Sequence, residues 1–131
     1  MSFSVLVVDD EPDMVQLFRR RFRRELRNRD YVMHFAQSGE EALVLLGGKI
    51  EPELMLILSD INMPGMSGLY LLERSKEIHP EIPIIMITAY GDRERRARAF
   101  DIGATDFLAK PIDFDQLKST IVALAAEGRA R

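Results

Sequence analysis

Five short apolar runs, rich in β-branched residues, recur along the chain, and a longer stretch of helical character follows each one. The runs are Phe3–Val8, Tyr31–Ala36, Leu54–Ser59, Ile84–Thr88 and Asp106–Ala109. A strand with one solvated face would alternate apolar and polar residues. These runs are apolar on both faces, so they need cover on both, which a parallel sheet with helices on each side and right-handed crossovers provides. The expected architecture is an open α/β sandwich in the order βαβαβαβαβα.

The intervening stretches carry their own start and stop signals. A first helix over Pro12 to Arg29 puts Val15, Phe18, Phe22 and Leu26 on one stripe and its arginines elsewhere, with Pro12 suited to the first turn. A second opens at Ser38, with Glu41 placed for a capping box, and stops at Gly47 and Gly48. A third runs from Ser67 to Ile78 and is ended by His79 and Pro80. A fourth spans Asp92 to Ile102 with Gly103 beyond it; a fifth starts at Asp113, with Gln116 as capping partner, and fades in Glu127–Arg131. Residues 1–126 are therefore expected to form one domain, and 127–131 a charged tail or the start of a linker.

Composition fits that reading. A chain of 131 residues, 47% hydrophobic, can bury one genuine core. With no cysteine it has no disulfide, no Cys-based zinc site and no thiol nucleophile. The opening MSFSVLVVDD has too short an apolar run for a membrane span, and without a basic flank it is no signal peptide, so a cytoplasmic location and no membrane partner are expected. The net charge of −3 conceals seven arginines between Arg19 and Arg29. Glu25 interrupts that run, no aromatic residue falls on its polar face, and charge-rich helix faces are usually solvated. No direct nucleic-acid binding is expected from it.

In open parallel sheets, function gathers where the strands end, outside the point at which strand order reverses. Here the first strand ends in Asp9 and Asp10, the third in Asp60, the fourth in Thr88 and the fifth in Lys110. Each residue alone has an ordinary reading: helix-dipole aspartates, a turn aspartate, a strand threonine, a surface lysine. Together, three carboxylates, a hydroxyl and an ammonium converge on one rim. Three carboxylates share a small site at neutral pH only with compensating cations. Lys110 supplies one charge, and a hard divalent ion such as magnesium (Mg²⁺), which prefers oxygen ligands, would supply the rest. A lysine, such a metal and a hydroxyl around one carboxylate form the set that neutralises a phosphoryl group in flight, with Asp60 as nucleophile.

The segments Val7-Val8-Asp9-Asp10-Glu11, Ser59-Asp60-Ile61-Asn62-Met63-Pro64, Thr88-Ala89 and Lys110-Pro111 together resemble the receiver family of two-component response regulators, over essentially the whole chain. The resemblance implies a flavodoxin-like three-layer sandwich: a five-stranded parallel sheet of order 2-1-3-4-5 flanked by five helices. It implies a phosphorelay signalling domain whose Asp60 accepts a phosphoryl group from a histidine kinase or phosphotransfer protein. Mg²⁺ would be held by Asp10, Asp60 and the backbone carbonyl of Asn62, with Asp9 acting through water. Thr88 and Lys110 would grip the phosphoryl oxygens, and the Lys110–Pro111 peptide would be cis. Thr88 and Phe107 would form the switch, with Phe107 lacking the hydroxyl a tyrosine would offer. Asn62 and Tyr90 occupy the positions that tune phosphoryl lifetime. Neither is acidic, and a bulky Tyr90 would hinder water, giving slow to moderate self-dephosphorylation. Output would pass to an unidentified partner through the fourth helix, fifth strand and fifth helix, where Arg93, Arg95, Arg96 and Arg98 cluster; a phosphorylation-dependent homodimer is compatible with this.

Two alternatives share parts of the pattern. A haloacid-dehalogenase-like phosphatase needs a second aspartate two residues after the first, where this chain has Asn62, and room for a cap domain. A flavodoxin needs a hydroxyl- and glycine-rich phosphate loop after the first strand, where Asp9-Asp10-Glu11 would repel the phosphate. Whether the chain stands alone or belongs to a longer protein is left open by its residues.

Overall fold

The computed structural model describes residues 3–89 and 92–130. Its elements are β1 (Ser4–Val8), α1 (Pro12–Arg21), α2 (Arg23–Arg27), β2 (Val32–Ala36), α3 (Gly39–Gly47), β3 (Leu54–Asp60), α4 (Gly68–Ile78), β4 (Ile84–Thr88), α5 (Arg93–Ile102), β5 (Asp106–Ala109) and α6 (Phe114–Ala130). All strand pairings are parallel, in the order β2-β1-β3-β4-β5. Both the class and the order match expectation.

Alternation along the strands builds two cores. Leu6, Val8, Ile57, Ile84 and Met86 face one way, onto Ala42 and Leu46 of α3, Leu71 and Leu72 of α4 and Ala99 of α5. Val5, Val7, Leu56, Leu58, Ile85 and Ile87 face the other way, onto Phe18 of α1, Phe22, and Phe114, Leu117 and Ile121 of α6. The second core is aromatic: the Phe22 ring lies 5.8 Å from Phe18, 5.9 Å from Tyr31 and 6.0 Å from Phe114.

The expectation of five helices with an unbroken first one is corrected here, because the first is bent into α1 and α2, giving six helical segments. The bend is at Phe22 (φ −104°, ψ 18°), whose ring is locked in the aromatic core with no exposure. The ladder carries on through it, since Phe22 N–H donates to Phe18 O and Leu26 N–H to Phe22 O, both at 2.9 Å. The pair ends sooner than Arg29, which adopts a left-handed φ of 58°. There Asp30 N–H donates to Glu25 O (3.0 Å) and Arg29 N–H to Leu26 O (3.2 Å), the paired bonds of a Schellman close. α6 continues to Ala130, past the point where its periodicity weakens.

The caps form as their residues dictate. Ser38 Oγ accepts from Glu41 N–H at 3.1 Å, while the Glu41 carboxylate reaches back to Gln37 N–H at 3.2 Å. Asp113 Oδ1 accepts from Gln116 N–H at 3.1 Å. Among the described residues, no helix is long and apolar enough to cross a membrane.

Candidate functional site

β1 and β3 lie side by side, with Val8 opposite Ser59, so Asp9, Asp10 and Asp60 leave the sheet at neighbouring points. Each of the three offers a carboxylate oxygen within 4.8 Å of the others. Asp60, the last residue of β3, is 3% exposed, and Asp9 is 1% exposed. Asp10 is half-buried. Thr88 closes β4 one residue past the Asp60–Ile87 partner pair and is buried. Lys110 follows β5, anchored by its N–H to Thr88 O at 2.9 Å.

Lys110 Nζ donates to Asp60 Oδ2 at 2.9 Å and stands 3.9 Å from Asp9 Oδ2 and 3.8 Å from Glu11 Oε1. Burial alone would lower its pKa, but the hydrogen bond to Asp60 and the charges of Asp60, Asp9 and Glu11 outweigh burial and hold it above its ordinary value. Asp60 Oδ1 accepts from Asn62 N–H at 3.1 Å, so both acceptor oxygens are fixed. Asp9 Oδ1 accepts from Glu11 N–H at 2.9 Å, whereas its Oδ2 is buried with no hydrogen-bond partner. Burial, and less strongly the nearby Asp60 charge, push Asp9 up to about 6, against the pull of the Glu11 N–H and Lys110.

A hard cation fits this donor set. Three carboxylates sit within one coordination span, and one buried oxygen lacks any hydrogen-bond partner.

Two residues outside the set read as chemical also shape the rim. Glu11 adds a fourth carboxylate beside Lys110, and only the fold of the loop after β1 brings it there. Gly68, the first residue of α4, donates its N–H to Ile61 O at 2.9 Å, and a Cβ there would overlap the carbonyl oxygen of Asp60 and the Cα of Ile61. Its place inside a Gly-Met-Ser-Gly turn was the one available hint. Phe107 is half-buried in β5 and lies under the Arg96 guanidinium, 5.0 Å from ring centroid to Cζ. Asn62 is exposed, two residues past Asp60. Tyr90 lies outside the described residues. The Lys110–Pro111 peptide is cis, as is Glu51–Pro52.

Comparison with known proteins agrees with this geometry. The family profile described as "Response regulator receiver domain" matches residues 5–122, from β1 into α6. The chain is a response regulator receiver domain.

Relatives of this receiver include the transcriptional regulatory protein ZraR of Salmonella typhimurium, 34% identical over 128 residues, covering 98% of this chain and 27% of that protein. The DNA-binding transcriptional regulator NtrC of the same organism is 38% identical over 112 residues, covering 86% and 22%. The receiver thus spans about a quarter of the length of these relatives. Among solved structures, the signal receiver domain of an HD domain-containing protein from Pseudomonas fluorescens Pf-5 superposes with a TM-score of 0.86 at 26% identity, covering all of both chains. A response regulator from Chloroflexus aurantiacus superposes at 0.80 with 29% identity, covering 96% and 99%. The phosphatase and flavin-binding alternatives find no support.

Proposed function

We propose that this receiver takes a phosphoryl group onto Asp60 from a histidine kinase or phosphotransfer protein, in a Mg²⁺-dependent reaction. One observation carries the reading: the buried Asp60 carboxylate, gripped at 2.9 Å by Lys110, shares its rim with two more carboxylates whose oxygens lie within 4.8 Å. A carboxylate oxygen of Asp60 attacks phosphorus, the bond to the donor's imidazole nitrogen breaks, and its electron pair leaves with that nitrogen. Lys110 moves from the carboxylate to a phosphoryl oxygen, and the Thr88 hydroxyl at the end of the next strand donates to another. Asp10, Asp60 and the Asn62 backbone carbonyl would hold Mg²⁺, and Asp9 would act on it through water. When bound, the ion offsets charge on the transferring phosphoryl oxygens.

Thr88 and Phe107 then pass the state of the rim to the α5, β5 and α6 face, where a downstream partner or a second copy would read it. No further catalytic activity belongs to this reading beyond self-phosphorylation from small donors and self-dephosphorylation. Residues 1–126 make up the working domain, acting in the cytoplasm. The test is incubation with acetyl phosphate and Mg²⁺ followed by intact-mass measurement. The wild type is expected to gain one phosphoryl increment and Asp60→Asn none. An unmodified wild type, or a modified Asp60→Asn, overturns the assignment. In the same assay Tyr90→Ala is expected to shorten the phosphoryl lifetime.

A further inference from the structure

The face of α1 and α2 does not behave as a merely solvated surface. All seven arginines from Arg19 to Arg29 are exposed, and among the described residues none of them pairs with a carboxylate. Glu25, which breaks the run in sequence, does not break it in space. Its side chain turns toward α6, where Oε2 meets Lys118 Nζ at 3.1 Å, and it is 17% exposed. Aromatic rings do lie beneath the arginines: the Arg19 guanidinium sits 5.2 Å from the Phe35 ring centroid, and that of Arg21 sits 5.6 Å from Phe114. Two arginines are thereby seated, and the others project freely.

The chain's other eleven basic residues stand against twenty-one acidic ones, so this face is a local positive pole on an acidic protein. Its α2 end lies at the opposite end of the strands from Asp60. α2 leads into β2 where Val32 pairs with Ser4, at the start of β1, whereas Asp60 lies where the strands end.

The chemistry of the occupant follows from what the face lacks. Protein interfaces are anchored by buried aromatic or aliphatic contacts. The exposed large apolar side chains found among the described residues, Val44, Tyr70, Ile78, Phe100 and Val122, all lie elsewhere. What remains is charge alone, the signature of phosphate-backbone contact. Arg19, Arg23 and Arg27 follow at four-residue steps and so do Arg20 and Arg24, two rows that cross the bend at Phe22; within α2 the step from Arg23 to Arg27 is about 6 Å along the axis. Neighbouring rows on a helix are about 100° apart, so the charges face two directions and a single flat bilayer meets them less fully. They can meet the two phosphate walls of a groove, and the B-DNA major groove, about 12 Å wide, admits a helix.

We propose that the α1–α2 arginine face binds the phosphate backbone of double-helical DNA, without sequence preference and independently of the phospho-acceptor rim. The probe is a short labelled duplex of arbitrary sequence, followed by fluorescence anisotropy across a salt series with the full chain. Binding is expected with a dissociation constant of about 10⁻⁴ to 10⁻⁶ M near physiological salt, tightening steeply as salt falls. Arg20→Gln/Arg23→Gln/Arg24→Gln/Arg27→Gln, which spares the two ring-seated arginines, should lose at least about tenfold and flatten the salt slope by about 3 to 4. The same four positions changed to Lys should keep most of the binding. Arg93→Gln/Arg95→Gln/Arg98→Gln on α5 should leave it unchanged. Circular dichroism of the quadruple variant separates lost charge from lost fold. Absence of duplex binding, equal loss in the α5 variant, or tighter binding to phosphatidylglycerol vesicles or polyglutamate overturns the proposal. So does equal competition by an RNA duplex, whose major groove is too narrow for a helix.

Discussion

Asp9 holds the sharpest local conflict in the protein. One of its oxygens takes the Glu11 N–H, while the other is buried without a hydrogen bond and faces Lys110 from 3.9 Å. Burial and the Asp60 charge disfavour the ionised Asp9 carboxylate, so Asp9→Asn, which removes that charge, is expected to stabilise the metal-free protein near neutral pH by about 1–3 kcal/mol while weakening Mg²⁺ binding. Urea melts with and without Mg²⁺ read both effects, and a variant that is less stable without metal contradicts the account. Tyr31 sets a limit at the other end of the pH scale. Burial first, and then the charges of Glu25 and Asp30, raise its phenol above the ordinary value of 10.0. A group whose folded pKa is raised contributes fully below its unfolded pKa and loses that contribution as pH climbs toward the folded value. Stability should therefore fall as pH rises from about 10 upward, and Tyr31→Phe should flatten the decline in thermal melts taken between neutral and strongly alkaline buffer.

At the scale of elements, two backbone positions tie local geometry to the site. Arg29 closes α2 in a left-handed conformation that L-residues other than glycine and asparagine adopt at a cost of roughly 1–2 kcal/mol. Arg29→Gly is expected to raise stability by about 1 kcal/mol, and Arg29→Ala should give no such gain; chemical denaturation of the pair makes the comparison. Gly68 lets the start of α4 rest directly on the backbone of the acceptor segment. Gly68→Ala has to push the helix away from Asp60 and Ile61, so we expect a loss of about 2 kcal/mol or more together with slower phosphorylation by acetyl phosphate. Unaltered phosphorylation in a folded Gly68→Ala protein would show that the acceptor does not depend on this packing.

Across the whole molecule, the alternation of strands and helices and the rim were legible because they rest on local signals, whereas the order of strands in the sheet came only with the family resemblance. Apolar β-branched runs set the strands, and the residue closing each run was read directly as Asp9, Asp60, Thr88 or Lys110. The features that escaped depend on residues distant in sequence. The bend at Phe22 reflects a ring fixed by Tyr31 and Phe114. The inward turn of Glu25 reflects Lys118, far along the chain on α6. The overlap that bars a side chain at Gly68 is with the backbone of β3 and the residue after it, which no helix propensity encodes.

The ion pair between Asp60 and Lys110 joins residues 50 positions apart. During synthesis the ribosome delivers the acceptor, then α4, β4 and α5, and only afterwards the lysine that closes the rim. A nascent chain therefore carries the proposed acceptor through more than a third of its own length before the cation that completes the rim exists. The rim is thus completed late, with the residue that follows the fifth strand, so an unfinished receiver holds Asp60 without its lysine.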